Sequence, residues 1–371
     1  MNSDSVNNLV IIIVFGALML LAFLKFTNPY NVNRKANFWF GLFLLAWASF
    51  WMEEIVAIAN LGAVNEYITV IIHYLQIYLV VFLYLSIVFY INPNYTFQLS
   101  DTKHFLIPGI YLVIKLMQFY NEDDDQSFLK SLAAGLIVFQ AVLYTAVAFL
   151  KIRKHQKNLQ LFSSDTIEID LGWLEKIIIV LFFTTLSFAG YSFLNNMPPP
   201  NAYINFIELA AIFFIAYYSL KQKDIYPVDE KQRTELIALN EEPPLPDPKK
   251  KIVTDEELIV LKQSLTRLMT DHEPYLDSEL NLVKLADLMS ISSHQLSYLI
   301  NTGFNENFFQ YINTYRVEKA KTLLLNSEKN NLSILGIAFE SGFNSKTSFN
   351  TTFKKITNKT PSEFKKTSAS L

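Results

Sequence analysis

The sequence predicts an all-α protein in which a seven-helix transmembrane bundle is followed by a helical domain with two helix-turn-helix units. Three observations predict this fold class. Long apolar runs fill the chain from Leu9 to Leu220. Beyond Lys221 the composition becomes that of a soluble domain, although the whole chain is only 18% charged and 51% hydrophobic. In this second part, apolar residues recur at the three- and four-residue spacing of helices.

Composition excludes several kinds of chemistry. The chain contains no cysteine, so disulfides, thiolate metal sites and cysteine nucleophiles are excluded within it. Scattered glutamates and single histidines do not match the spacing of H-E-x-x-H or a similar metal motif. We therefore predict no catalytic residue, no metal site, no cofactor and no enzymatic activity.

Seven segments are long and apolar enough to cross a bilayer, whose core of about 30 Å needs roughly 20 residues of helix. The fourth is the weakest, because it contains Pro108, Gly109 and Lys115. Two merged or re-entrant weak spans are the alternative. The seven predicted spans are residues 6–27, 36–59, 64–91, 103–120, 127–150, 171–195 and 201–220.

Basic residues favour every second loop between these spans. Arg34 and Lys35 lie in the first loop, and Lys151 to Lys157 include four basic residues in the fifth. The N-terminal tail, residues 1–8, has none. Because cytoplasmic loops carry the excess of lysine and arginine, we expect the N-terminus outside and the C-terminus in the cytoplasm. The first span has no preceding basic region, so we expect it to be retained rather than cleaved as a signal peptide.

A linker is predicted at residues 221–253, between a transmembrane sensor domain at 1–220 and a soluble domain at 254–371. The stretch "EEPPLPDPKKK" contains four prolines and favours an extended spacer. The preceding "DEKQRTELIALN" can form a short helix. A passive tether is the favoured interpretation, and a lever that transmits movement of the spans is the alternative.

Two helix-turn-helix units are predicted in the soluble domain, at about residues 280–303 and 333–357, joined by a helix at 307–326. Ser292 is a good N-cap for the second helix of the first unit. Gly342 permits a tight turn with positive φ in the second unit. Residues 341–371 contain six lysines and one glutamate, a formal charge of +5. Such a face attracts phosphates, so we predict double-stranded DNA as a partner.

The combination A-x-x-x-G-F, S-F-x-x-x-F-K-K and T-P, which runs from Ala338 to Pro361, resembles the AraC-type DNA-binding domain. The stretch "YINTYRVEKAKTLL" before it is also similar to that family. The resemblance covers the C-terminal part, about 110 residues. It implies sequence-specific binding of promoter DNA by a bacterial transcription regulator, with RNA polymerase and a second copy of the chain as further partners. With the spans, it implies a multi-pass protein of the inner membrane.

The resemblance also implies which side chains contact DNA. Positions that are often arginine in the family are Tyr298 and Thr351 here, and the usual glycine after the second recognition helix is Asn358. These departures put individual base contacts in doubt. The residues implied to contact DNA are Ser293, His294, Ser297, Tyr298, Lys346, Thr347, Asn350, Thr351 and Lys354.

Ionisable residues inside spans are costly, so each is a functional hypothesis. Glu53, His73, Lys115 and Glu208 are placed by the predicted topology at about 8–14 Å below the outer surface. We hypothesise an outward-facing pocket between spans 2, 3, 4 and 7 that binds a small polar or charged ligand. The alternative is that Lys115 extends to the interface and the carboxylates have structural partners.

One other function is consistent with the sequence. The chain could be a seven-span receptor or transporter-like protein whose C-terminal helical domain is a protein–protein signalling adaptor, because the overall charge of that domain is nearly balanced. Internal repeats or matching broken helices, which are typical of transporters, are not evident. Specific binding of duplex DNA by the soluble domain separates the two interpretations.

Overall fold

The computed structural model describes residues 3–120, 127–167, 169–195, 201–227, 229–241, 253–325 and 332–368. In these ranges the chain is helical apart from one isolated bridge between Ser163 and Asn281, so the predicted all-α class is confirmed. The chain forms two compact units. Unit 1 comprises Met1–Ile152 and Leu171–Asp224, and unit 2 comprises Arg153–Asp170 and Ile225–Leu371.

The described residues of unit 1 form mainly apolar helices. Two 3₁₀ helices, Ser49–Trp51 and Leu99–Phe105, precede α3 and α6 respectively. The helix α7 continues past unit 1, and its last residues, from Arg153, belong to unit 2. The helices are α1 (Ser3–Thr27), α2 (Arg34–Ala48), α3 (Met52–Ile58), α4 (Glu66–Ile77), α5 (Leu79–Ile91), α6 (Leu106–Tyr120), α7 (Ser127–Leu159), α8 (Gly172–Asn195) and α9 (Asn201–Lys221).

Five segments of the described chain are long and apolar enough to cross a membrane, against the seven predicted. Of the other two predicted spans, α6 has 15 residues and α8 has 24. Pro108 lies in the first turn of α6, where its missing N–H costs no intrahelical hydrogen bond. The five segments are Ser5–Thr27, Arg34–Ile58, Glu66–Ile91, Ser127–Leu159 and Ile204–Lys221.

The core of unit 1 is built where α2 packs against α1 and α5, and α1 packs against α9. The side chain of Asn37, which is 4% exposed in this core, has hydrogen-bond partners. Asn37 donates from Nδ2 to Oδ1 of Asn28 (3.0 Å) and accepts from the hydroxyl of Tyr90 (2.8 Å). Satisfied polar groups avoid the cost of about 1–3 kcal/mol that an unpaired buried donor or acceptor carries.

Unit 2 contains the two predicted helix-turn-helix units, each with a side-chain cap at the start of its second helix. Ser292 accepts from the backbone N–H of Gln295, and Ser345 accepts from that of Ser348. A π-helical turn, Leu299–Gly303, extends the first of these helices. The helices of unit 2 are α10 (Glu230–Glu241), α11 (Asp255–Asp271), α12 (Leu282–Met289), α13 (Ser293–Tyr298), α14 (Phe308–Leu325), α15 (Ile334–Glu340), α16 (Lys346–Thr357) and α17 (Pro361–Ser368).

The predicted linker, residues 221–253, is divided by the structure. Its short helix forms as α10 and belongs to unit 2, whereas the four prolines of "EEPPLPDPKKK" lie outside the described residues. Unit 2 also includes Arg153–Asp170, which sequence analysis assigned to a loop between two spans. Unit 2 is therefore built from two separate stretches of chain, and it contains residues outside the predicted domain at 254–371.

Candidate nucleic-acid interface

Helix α16 of the second helix-turn-helix unit has one buried and one polar exposed face. Phe349 and Phe353 are fully buried, and with Phe343 they form a core against α14 and α15. Phe364 of α17 packs edge-on against Phe353 at 5.5 Å and closes this core, while Ile356 is 37% exposed. The opposite face exposes Lys346, Thr347, Thr351 and Lys354, with Asn350 half-buried.

This exposed face has the spacing that direct contact with a DNA groove requires. Counted from residue 346, the other four residues follow at one, four, five and eight positions, which places all five on one side of a helix. They are residues 347, 350, 351 and 354. Lysine and threonine side chains can bind phosphate oxygens, and asparagine can pair with an adenine edge. All five predicted DNA-contacting residues of the second unit are therefore at least partly accessible and share one surface.

Positive charge is concentrated around α16. Lys354, Lys355 and Lys359 are exposed beside it. Glu363 accepts from the backbone N–H of Thr360 (2.8 Å) at the start of α17, and this bond holds the pKa of its carboxyl below the usual value. The local field is therefore net positive at neutral pH, which favours a polyanion.

The turn of the second unit is fixed against the rest of unit 2 at Gly342. Its φ of +83° is in the left-handed region that glycine favours. A Cβ at this position would lie 2.9 Å from Cα of Leu276 and would clash with the carbonyl oxygen of Tyr275. Close backbone contact here requires glycine and sets the position of α16 relative to residues 275–276.

Arg316 of the connecting helix α14 binds the same region and is only 1% exposed. Its guanidinium donates from Nε to the carbonyl of Tyr275 (2.8 Å), from Nη2 to that of Asp277 (2.8 Å) and from Nη1 to that of Ser164 (3.4 Å). Burial lowers its pKa to about 10, so it remains charged at neutral pH. Arg316 thus joins α14 to the segments before the first unit and to residues 153–170.

The recognition helix of the first unit, α13, is less accessible than α16. His294 is exposed and Tyr298 is half-buried. By contrast, Ser293 is 2% and Ser297 is 3% exposed. The hydroxyl of Ser293 donates to Oε1 of Glu235 in α10 at 2.5 Å. In this conformation, two of the four residues predicted to contact DNA in the first unit are covered by protein.

The four ionisable residues predicted to form a ligand pocket lie on four different helices of unit 1. Lys115 lies over the ring of Tyr111 (5.6 Å) on α6, which packs against α4, the helix of His73. Glu208 lies instead on α9, which packs against α1, and is 6% exposed. One of its oxygens, Oε2, is buried without a hydrogen-bond partner among the described residues. The pocket between these four side chains stays a prediction.

A further polar residue, Asn205, lies on the same face of α9 as Glu208. Asn205, one turn earlier, accepts from Nε1 of Trp51 (2.9 Å) and donates to Oδ1 of Asn7 (2.9 Å). Among the described residues, no group of three or more His, Cys, Asp or Glu is placed to hold a metal ion.

Sequence reasoning also missed how much of unit 2 depends on residues 153–170. Ser164 and Asn313 are buried, and Nδ2 of Asn313 donates to the carbonyl of Ser164 (2.9 Å). The only available signal was a polar residue, Asn313, at a core-facing position of the connecting helix, which requires a partner. That partner is 149 positions away.

Comparison with protein families identifies the C-terminal part. Residues 285–367 match the family described as a helix-turn-helix domain. The match begins inside α12 and ends in α17, so it covers both helix-turn-helix units and the helix between them. No solved structure matches the chain.

Two kinds of relative share this part. An uncharacterized HTH-type transcriptional regulator of Staphylococcus aureus (strain COL) is 31% identical over 93 residues, which are 25% of this chain and 12% of the relative. An uncharacterized HTH-type transcriptional regulator in the cgkA 5' region of Pseudoalteromonas carrageenovora is 33% identical over 93 residues, 25% of this chain and 53% of the relative. The chain thus spans between about an eighth and a half of the length of these relatives, and the C-terminal part is a helix-turn-helix domain similar to theirs.

Proposed function

We propose that this chain is a membrane-anchored transcription regulator that binds specific promoter DNA through its two helix-turn-helix units. The observation that carries this proposal is the exposed polar face of α16, with its cap, its phenylalanine core and its surrounding lysines. The printed description of the relatives as transcriptional regulators supports it. It is not an enzyme in this account.

The connecting helix gives the two units a spacing suited to duplex DNA. Helix α14 has 18 residues, about 27 Å at 1.5 Å per residue. Successive major-groove segments on one side of a duplex are about 34 Å apart. Two recognition helices at the ends of such a spacer can enter neighbouring major-groove segments on one face of the duplex. A second copy of the chain and RNA polymerase are the further partners that we propose at the promoter.

The membrane part of the proposal rests on five long apolar segments and on the basic loops between them. We propose seven spans in an inner membrane, with unit 2 in the cytoplasm and a signal sensed by the spans. We propose two places where a small polar ligand would act on helix packing. One is Glu208 with Asn205 and its partners, and the other includes Lys115, His73 and Glu53.

The absence of cysteine makes the topology directly testable. Tyr30 is 69% and Leu61 is 76% exposed, in the loops after the first and second predicted spans. In intact cells, a membrane-impermeant maleimide is expected to label Leu61→Cys but not Tyr30→Cys, and to label both after lysis. Equal labelling of the two before lysis contradicts the proposed orientation.

DNA binding is tested by selecting duplexes from a random library with the full chain in lipid nanodiscs. We expect one enriched sequence motif. The variant Asn350→Ala is expected to lose selectivity at one base pair, by about 1–3 kcal/mol. The matched control Asn344→Ala, exposed just before α16, is expected to leave the motif unchanged. Failure to enrich any motif would favour the adaptor function instead.

A further inference from the structure

Two cytoplasmic segments that are distant in sequence pack on the first helix-turn-helix unit inside unit 2. These segments, Arg153–Asp170 and helix α10, are together called the clamp here. At the start of α12, the backbone N–H of Leu282 donates to the carbonyl of Phe162 (2.9 Å), and the hydroxyl of Ser164 donates to the carbonyl of Leu280 (2.6 Å). The clamp is therefore hydrogen-bonded to the backbone of residues 280 and 282, where the first helix-turn-helix unit begins.

The same segment also reaches the helix that joins the two units. The backbone N–H of Phe309 donates to the carbonyl of Gln160 (3.0 Å), and the carbonyl of Ser164 accepts from both Asn313 and Arg316. Phe162 and Ser164 are each 2% exposed. These two residues are thus as deeply buried as the core of unit 2, while residues 160, 161 and 163 are half-buried.

Helix α10 is the second part of the clamp, and its C-terminal end is fixed to the last turn of α7. The carbonyl of Asn240 accepts from Nδ2 of Asn158 (2.6 Å), and its side chain bonds to the hydroxyl of Tyr226 (2.9 Å) and Nδ1 of His155 (3.2 Å). Its apolar residues are buried. They are Leu236, Ile237 and Leu239, with exposures of 2%, 5% and 3%.

The other half of α10 meets the first helix-turn-helix unit. Gln232 accepts from Nδ2 of Asn281 (3.2 Å), and Glu235 accepts from the hydroxyl of Ser293 (2.5 Å). Ser293 is the first residue of α13. A carboxylate held at that point repels a DNA phosphate and covers part of the surface that must meet the duplex.

We propose that the clamp is an intrachain inhibitor that occupies the first DNA-reading surface through Glu235 and leaves the second, on α16, open. Because α7 is one helix from Ser127 to Leu159, its end carries Asn158, which holds α10. A displacement of that end draws α10, with Glu235, away from Ser293. The inference rests on the proposed DNA binding, and adds how it is controlled.

The test compares full-length chains in nanodiscs on a duplex selected as above. Glu235→Ala is expected to bind it about tenfold more tightly, because a larger fraction of the chain is then competent. Glu230→Ala removes the same charge from an exposed position of the same helix and is expected to change affinity less than about twofold. Glu235→Gln, which keeps an acceptor for Ser293, is expected to lie between them. Equal affinity of Glu235→Ala and Glu230→Ala would overturn the inference.

Amide hydrogen exchange of the wild-type chain supplies the second arm. Adding the duplex is expected to slow exchange in α16 and α13 and to accelerate exchange in α10, because the clamp must leave. Slower exchange in α13 with unchanged α10 would refute the clamp while retaining DNA binding. No slowing anywhere in α16 would refute the proposed function and, with it, the inhibition of DNA binding.

Discussion

Replacing Arg316 with alanine is the most informative perturbation of unit 2. The guanidinium is 1% exposed and binds three backbone carbonyls, two of them at 2.8 Å. Removing it leaves the carbonyls of Tyr275 and Asp277 without this donor. Each stranded buried acceptor costs about 1–3 kcal/mol, so we expect unit 2 to lose roughly 3–5 kcal/mol of unfolding free energy. Lys321→Ala, at a partly exposed position of the same helix where the ammonium pairs with Glu318, is the control and is expected to cost under about 0.5 kcal/mol.

The assay is hydrogen exchange of the full chain, followed separately in α14 and in unit 1. A loss of about 3 kcal/mol accelerates exchange through global opening of unit 2 on the order of 10²-fold, since each 1.36 kcal/mol is a factor of ten. All four tryptophans, at positions 39, 47, 51 and 173, lie in unit 1, so their emission reports that unit as an internal reference. Acceleration below about fivefold in α14 would refute the assigned role of Arg316.

Three further predictions follow from named contacts. Lys354→Ala is expected to remove one phosphate contact and so to lower the slope of log affinity against log salt concentration by about one. DNA binding at several salt concentrations measures this slope, and an unchanged slope would contradict the place of Lys354 in the interface. Gly342→Ala combines a positive φ with a backbone clash and is expected to cost more than about 2 kcal/mol, read from exchange in α15 and α16, whereas wild-type protection would contradict it. Hydrogen bonds donated by Lys319, and to a lesser extent by Tyr275, lower the pKa of the Glu273 carboxyl in the folded chain. The ionised carboxylate therefore contributes its full stabilisation of the fold above the unfolded pKa of about 4.3, and this contribution disappears as pH falls through the folded pKa. Glu273→Gln is therefore expected to cost at most about 1 kcal/mol at pH 7 and nothing at pH 2, and a difference that persists in acid would contradict the assignment.

Local signals were sufficient to predict the helix-turn-helix units. Caps at Ser292 and Ser345, the positive φ at Gly342 and the left-handed Asn358 each depend on a residue and its near neighbours. Helical spacing then determined the faces of α16. These features are encoded within a few residues, so one sequence is enough to place them.

Contacts between distant stretches could not be predicted. The burial of Ser293 depends on Glu235, 58 positions earlier, and the integration of residues 160–164 depends on partners more than a hundred positions later. Periodicity describes a face of a helix but not what covers it.

The central claim is that a chain anchored by apolar helices distinguishes one DNA sequence from another. The most direct measurement is the affinity of the full chain in nanodiscs for a selected duplex and for its scrambled counterpart, at several salt concentrations. The account predicts a preference of at least about 10³-fold for the selected duplex, and affinity for both that falls steeply with salt. Equal affinity for the two duplexes would contradict it.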